Sequence, residues 1–106
     1  MDFMDMMKKA QAVQAKLQQA QEELGRVEVE GRAGGGLVSV TLNAKGELKG
    51  VSIDASLLTP ADREMLEDLI VAAFADGKAK ADRATTEKMQ ALTEGLPLPP
   101  GMKLPF

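Results

Sequence analysis

The chain has 106 residues, a formal net charge of −3, three Phe and seven Met, and no Cys, His, Trp or Tyr. That length suits one domain burying about 60 to 70% of its unfolded surface, so the fold is expected to lean on a partner. Missing Cys excludes disulfides and thiolate metal sites, missing His removes the commonest general base and metal ligand, and the acidic balance leaves any attraction for phosphate to local charge.

The opening MDFMDMMKK has acids where a secretory signal needs positive charge. No run approaches the roughly 18 apolar residues of a membrane span, so a cytoplasmic protein without a membrane partner is expected. Residues 1–25 read as a helix. Phe3, Met6, Ala10, Val13, Leu17, Ala20 and Leu24 repeat at spacings of three and four, a narrow heptad seam. Such a helix is longer than the strands that follow, so part of the seam should face a second copy of the chain. Gly25 fits the left-handed residue that follows a helix end.

Lys8 and Lys9 lie near the positive end of the helix dipole and Glu22 and Glu23 near the negative end, the unfavourable sense. From Met6 to Gln21 there are Lys8, Lys9 and Lys16, five glutamines and no acid. Charge of this kind is commonly a solvated helix face. It is equally a row of hydrogen-bond donors of the type that phosphate oxygens accept from.

Residues 26–54 read as a three-stranded antiparallel meander. Val27 and Val29 alternate with Arg26, Glu28 and Glu30, then Val38, Val40 and Leu42 with Ser39, Thr41 and Asn43, and Val51 and Ile53 continue the period beyond Asn43-Ala44-Lys45-Gly46. The run Gly31-Arg32-Ala33-Gly34-Gly35-Gly36 lacks the Lys-Ser or Lys-Thr and the following helix of a phosphate loop, and reads as a turn. Dimer contacts are expected at Phe3, Met6, Val13, Leu17 and Leu24 of the seam and at Val38, Val40 and Leu42 of the sheet.

Thr59-Pro60-Ala61-Asp62 signals a helix start, with Thr as cap, over residues 59–93. Its first half, with Met65, Leu66, Leu69, Ile70, Ala73 and Phe74, suits covering the hairpin. Gly77 reads as a weak point. Beyond it Lys80, Arg83 and Lys88 form a second candidate cationic set, but acids are interleaved at pairing distance. Residues 95–106, with four prolines and five large apolar residues, read as a strap that docks over the dimer or a partner's groove.

The stretches GGGLVSVTLNAKGELKGVSIDASLL, ADREMLEDLIVAAFADGKAKAD and LPLPPGMKLPF, with the opening MKKAQAVQAKLQ, resemble the YbaB/EbfC family of bacterial nucleoid-associated proteins over nearly the whole chain. The resemblance implies a single α+β domain that forms an intertwined, tweezer-like homodimer and binds duplex DNA at the nucleoid, in nucleoid organisation or gene regulation. It brings no residue-level signature, so the candidate DNA contacts Lys8, Lys9, Lys16, Lys80, Arg83 and Lys88 rest on charge. The alternative is a protein-interaction adaptor using the heptad helix and the apolar tail. No cofactor, metal or small-molecule substrate is expected. Enzymatic chemistry finds no support, because Ser39, Ser52 and Ser56 have no His to activate them.

Overall fold

A computed structural model describes residues 2–94. Helix α1 spans Phe3–Arg26, strands β1, β2 and β3 span Glu28–Ala33, Val38–Asn43 and Leu48–Ile53, and helix α2 spans Arg63–Glu94. The sheet is the expected antiparallel meander in the order β1-β2-β3. The strap expected over 95–106 lies outside the described residues. The radius of gyration is 19.6 Å and the extents are 70 × 23 × 16 Å, against about 13 Å for the radius of a compact chain of this length. Two long helices leaving a small sheet account for the difference.

The register explains the core. Val29 faces Leu42, Gly31 faces Val40 and Ala33 faces Val38 across β1 and β2, so one period-two face carries them all. Val38, Val40 and Leu42 are 0%, 2% and 0% exposed, packed with Leu57 and Ala73 and flanked by Leu66, Leu69 and Ile70. These three sheet residues, expected at a dimer contact, are filled by the chain's own α2. The other face carries charge: the Arg32 guanidinium donates in a fork to Glu30, Nε to Oε1 at 3.1 Å and a terminal nitrogen to Oε2 at 3.2 Å.

Gly77, read from sequence as a helix weakness, is instead a packing residue. Ala73, Gly77 and Ala81 recur every four residues on one face of α2 and are buried. A methyl group on Gly31 would sit 2.1 Å from the Ala73 carbonyl oxygen and 2.4 Å from the Gly77 nitrogen, and one on Gly77 would sit 2.3 Å from Leu42 Cδ1. Helix and strand therefore touch backbone to backbone. This contact draws α2 over β1 and β2 rather than over the β2–β3 hairpin, leaving Leu48 and Val51 of β3 at 52% and 47% exposed. Met65 and Phe74, expected to cover the sheet, are also exposed, at 53% and 38%.

Smaller differences concern the ends. Gly25 is helical, because α1 continues to Arg26 and ends on extended Val27, whose N–H donates to the Glu23 carbonyl. Thr59 does not cap α2 through its side chain. Its hydroxyl donates to Asp62 at 2.9 Å, and Pro60–Asp62 form a short 3-10 turn before the helix. The glycine run is a turn, with Gly34, Gly35 and Gly36 at φ of 65°, 68° and 96°, a succession that residues with a Cβ rarely adopt.

Gly31→Ala should lower stability by about 3 kcal/mol or more, the upper end of overpacking costs, since its methyl meets backbone with no side chain to give way. Gly77→Ala should also destabilise, although helix propensity alone favours Ala by about 1 kcal/mol. Gly50→Ala is the control, because a methyl there meets nothing within 4 Å. Thermal melts check all three: at roughly 4 to 8 °C per kcal/mol, Gly31→Ala should lose more than about 10 °C, while Gly50→Ala stays close to the parent.

Candidate nucleic-acid interface

The candidate cations of the first helix are carried on an arm, and the arm's attachment sets where they go. At its C-terminal end α1 meets the β2–β3 turn, where the Ala44 N–H donates to the Leu24 carbonyl at 3.2 Å and the Val27 carbonyl at 2.9 Å. Asn43, 1% exposed, fills its whole amide capacity. Its Nδ2 donates to the Gly25 carbonyl at 3.3 Å and to Glu47 Oε1 at 2.8 Å, and its Oδ1 accepts from the N–H groups of Lys45 and Glu47 at 3.1 and 3.0 Å. The Thr85 hydroxyl of α2 donates to the Ala44 carbonyl at 2.8 Å. Ala20, Leu24, Ala44 and Met89 make a second small core at this joint, and an ion pair between Glu23 and Lys88 closes its rim.

Beyond the joint, α1 projects. Lys8, Lys9 and Lys16 are exposed on it, with no acid between Met6 and Gln21. Lys16 also lines the groove between the helices, opposite Ala91 and Leu92. Lys8 and Lys16 make no ion pair among the described residues. The heptad seam divides: Ala20 and Leu24 are buried against α2, Val13 and Leu17 are half-buried, and Phe3 and Met6 are 71% and 56% exposed.

Most of the cations of α2 are engaged. Lys80 Nζ donates to the Glu30 carbonyl at 2.7 Å and lies 3.1 Å from Asp76 Oδ2, which accepts from the Arg32 N–H at 3.0 Å. Asp76 and Lys80 thereby occupy two hydrogen-bonding groups on the outer edge of β1, the Arg32 N–H and the Glu30 carbonyl, and obstruct another strand there. Lys88 pairs with Glu23 and Lys78 with Asp82. Arg83 is exposed. The six candidates thus fall into three on the arm and three on α2, of which Lys80 and Lys88 serve the fold.

Sequence reasoning did not connect Lys45 and Lys78. The fold lays Lys45 along Gly25 and Lys78 along Gly46, so both flank the β2–β3 turn. Their separation along the chain carries no periodic signal. Glu47 and Asp82 stand among them, which keeps the local balance mixed. No group of three or more His, Cys, Asp or Glu that could hold a metal ion occurs among the described residues, and no helix there is long and apolar enough to cross a membrane.

Four carboxyls are held below their ordinary values: Glu23 by the hydrogen bond and charge of Lys88, Glu30 by the hydrogen bond and charge of Arg32, Asp76 by the Arg32 N–H and then by Lys80, and Glu47 by the Asn43 amide and then by the charge of Lys49. Each binds its proton less tightly folded than unfolded, so its contribution is complete above the ordinary carboxyl values of 4.5 for Glu and 3.8 for Asp and is lost as pH falls from there through the depressed values of the folded state. The melting temperature should therefore hold from about pH 6 to about pH 5 and drop below that. In Glu23→Gln the drop should be shallower, as read by circular dichroism melts across the acid range.

The YbaB/EbfC DNA-binding family matches residues 1–96. A nucleoid-associated protein of Methylocella silvestris is 54% identical over 105 residues, covering 99% of this chain and 98% of the relative. One of Agrobacterium fabrum is 56% identical, with the same coverage. Among solved structures, an uncharacterized protein from Helicobacter pylori is similar with a TM-score of 0.69 and 30% identity, over 89% of this chain and 95% of that one. The resemblance of the hairpin, the LEDL helix and the opening helix is thus matched across the described chain, which belongs to the YbaB/EbfC DNA-binding family.

Proposed function

We propose that this chain is a nucleoid-associated protein of the bacterial cytoplasm that holds duplex DNA as a homodimer, through phosphate contacts made by Lys8, Lys9 and Lys16 of α1. The observation that carries the reading is the contrast between the helices. The arm presents Lys8 and Lys16 exposed in an acid-free stretch and in no ion pair among the described residues, with Lys9 exposed beside them, whereas α2's Lys78, Lys80 and Lys88 are paired with acids of the same chain. Released counterions reward exposed cations, and a cation already paired has less to gain. The DNA-binding family supports the partner and the nucleoid-associated relatives support the place; a role in nucleoid organisation or gene regulation belongs to the same reading.

The homodimer is supported by the sheet. Leu48 and Val51 point to the same face as Leu42 and Val40, opposite which they pair, yet α2 does not cover them. With β1's edge obstructed by Asp76 and Lys80, β3 offers the accessible flank of the sheet, and a second copy supplies a matching one. Two copies give six arm lysines. Lysine on a helix lacks the guanidinium fork that reads guanine, so the contacts hold the backbone and leave the base sequence unread.

Gel shifts across a salt series test the contacts. The slope of log K against log salt should be near about −5 for six contacts, and Lys8→Gln with Lys16→Gln should flatten it toward about −2 while the helical signal is kept. An unchanged slope in the double variant overturns the arm as the DNA-binding element. Sedimentation tests the assembly: the parent should be a dimer at micromolar concentration, and Val51→Glu should shift it to monomer with its circular dichroism retained. A Val51→Glu protein that stays dimeric moves the interface off β3.

A further inference from the structure

α1 and α2 run antiparallel where they meet, since Glu23 pairs with Lys88 while Lys16, Gln19 and Ala20 face Ala91 and Leu92 across an open groove of about 380 Å3. α2 ends at Glu94. From Lys16 to Phe3 the arm runs on for about 20 Å at 1.5 Å per residue. Along that reach Val13 is half-buried and the seam beyond it is uncovered, with Phe3 and Met6 exposed at 71% and 56% and Met7 beside them at 47%. Helix-length apolar surface left in water in this way calls for an occupant.

The next residues of the chain are Gly95 to Phe106, GLPLPPGMKLPF. Four prolines prevent α2 from continuing, and they lower the entropy lost when such a segment is ordered. Leu96, Leu98, Met102, Leu104 and Phe106 supply apolar side chains along its whole length. An extended segment of twelve residues at about 3.1 Å each spans roughly 37 Å, more than the reach required. The order of charge also matches: Lys103 comes late in the segment, and Asp2 and Asp5 stand late along the arm.

We propose that residues 95–106 lie along the exposed seam of α1 in their own chain, starting in the groove between Lys16 and Leu92 and running toward Phe3. The segment is tethered at the mouth of that groove, so its effective concentration there is on the order of millimolar, far above that of a second copy at micromolar concentration. The strap covers the apolar side of the arm and leaves Lys8 and the glutamines of the other side in solvent. The assignment is independent of whether the arm holds DNA.

The absence of Cys from the chain makes a clean test possible. In the full-length protein, Met6→Cys is combined with Met102→Cys, and the pair is bridged with a short bismaleimide. A control pairs Met102→Cys with Lys8→Cys, which stands on the opposite side of the arm from Met6 at nearly the same height. The expected result is a bridge within one chain, running as a monomer on a denaturing gel, formed several-fold more for Met6 than for Lys8. A covalent dimer as the main Met6 product places a second copy's segment on the seam and overturns the assignment. Equal yields from Met6 and Lys8, or no bridge, show that the segment does not follow the seam and overturn it as well.

Discussion

The rest of the structure depends on the meeting of Gly31 with Gly77. Because neither residue has a Cβ, α2 descends until its backbone rests on β1, and the neighbouring Ala73 and Ala81 extend the close approach along the helix. Beneath it Leu42, Val40 and Val38 are buried in one cluster with Ala73. Asp76 and Lys80 then reach two outer hydrogen-bonding groups of β1, the Arg32 N–H and the Glu30 carbonyl. One steric condition therefore sets the position of the helix, the identity of the core and the obstruction of one sheet edge.

What the contact leaves open follows from the same geometry. A helix centred over β1 and β2 does not reach β3, so Leu48 and Val51 keep half their surface although they belong to the core-facing side. At the other end the joint around Asn43 and Ala44 fixes where α1 leaves the sheet. Asn43 is buried and fully hydrogen-bonded, and removing one partner of such a network leaves unsatisfied groups in a place without water. Ala20 and Leu24 anchor the arm there, and everything N-terminal to Lys16 projects, carrying its lysines on one side and its apolar seam on another. Of the charges in the arm that oppose the helix dipole, Glu23 is held by Lys88, while Lys8 stays exposed on the projecting part.

The strands and the arm were legible because they obey simple periods: two for Val38, Val40 and Leu42, and three-four for Phe3 to Leu24. Gly31 and Gly77 were not, since a glycine in a strand or helix reads as a turn or a weakness until the element it touches is known. Asn43 looked like a turn residue and is one, yet its burial and its reach to Gly25 depend on α1 folding back beside it. The distinction between the two lysine sets was partly visible. Interleaved acids in α2 pointed to pairing within the helix, which Lys78 with Asp82 and Lys80 with Asp76 show. Lys88 pairs instead with Glu23, a contact between elements that spacing does not encode. The assignment of Val38, Val40 and Leu42 to a dimer contact failed to weigh how completely a small-residue helix face covers a sheet.

In the function proposed for the chain the arm, not α2, meets the phosphate backbone. Lysine acetylation of the protein alone and with a saturating short DNA duplex, read by mass spectrometry, separates the two helices. DNA should slow modification of Lys8, Lys9 and Lys16 and leave Lys78, Lys80 and Lys88 unchanged. Protection confined to Lys78, Lys80 and Lys88, with the arm lysines modified at their original rate, would contradict it.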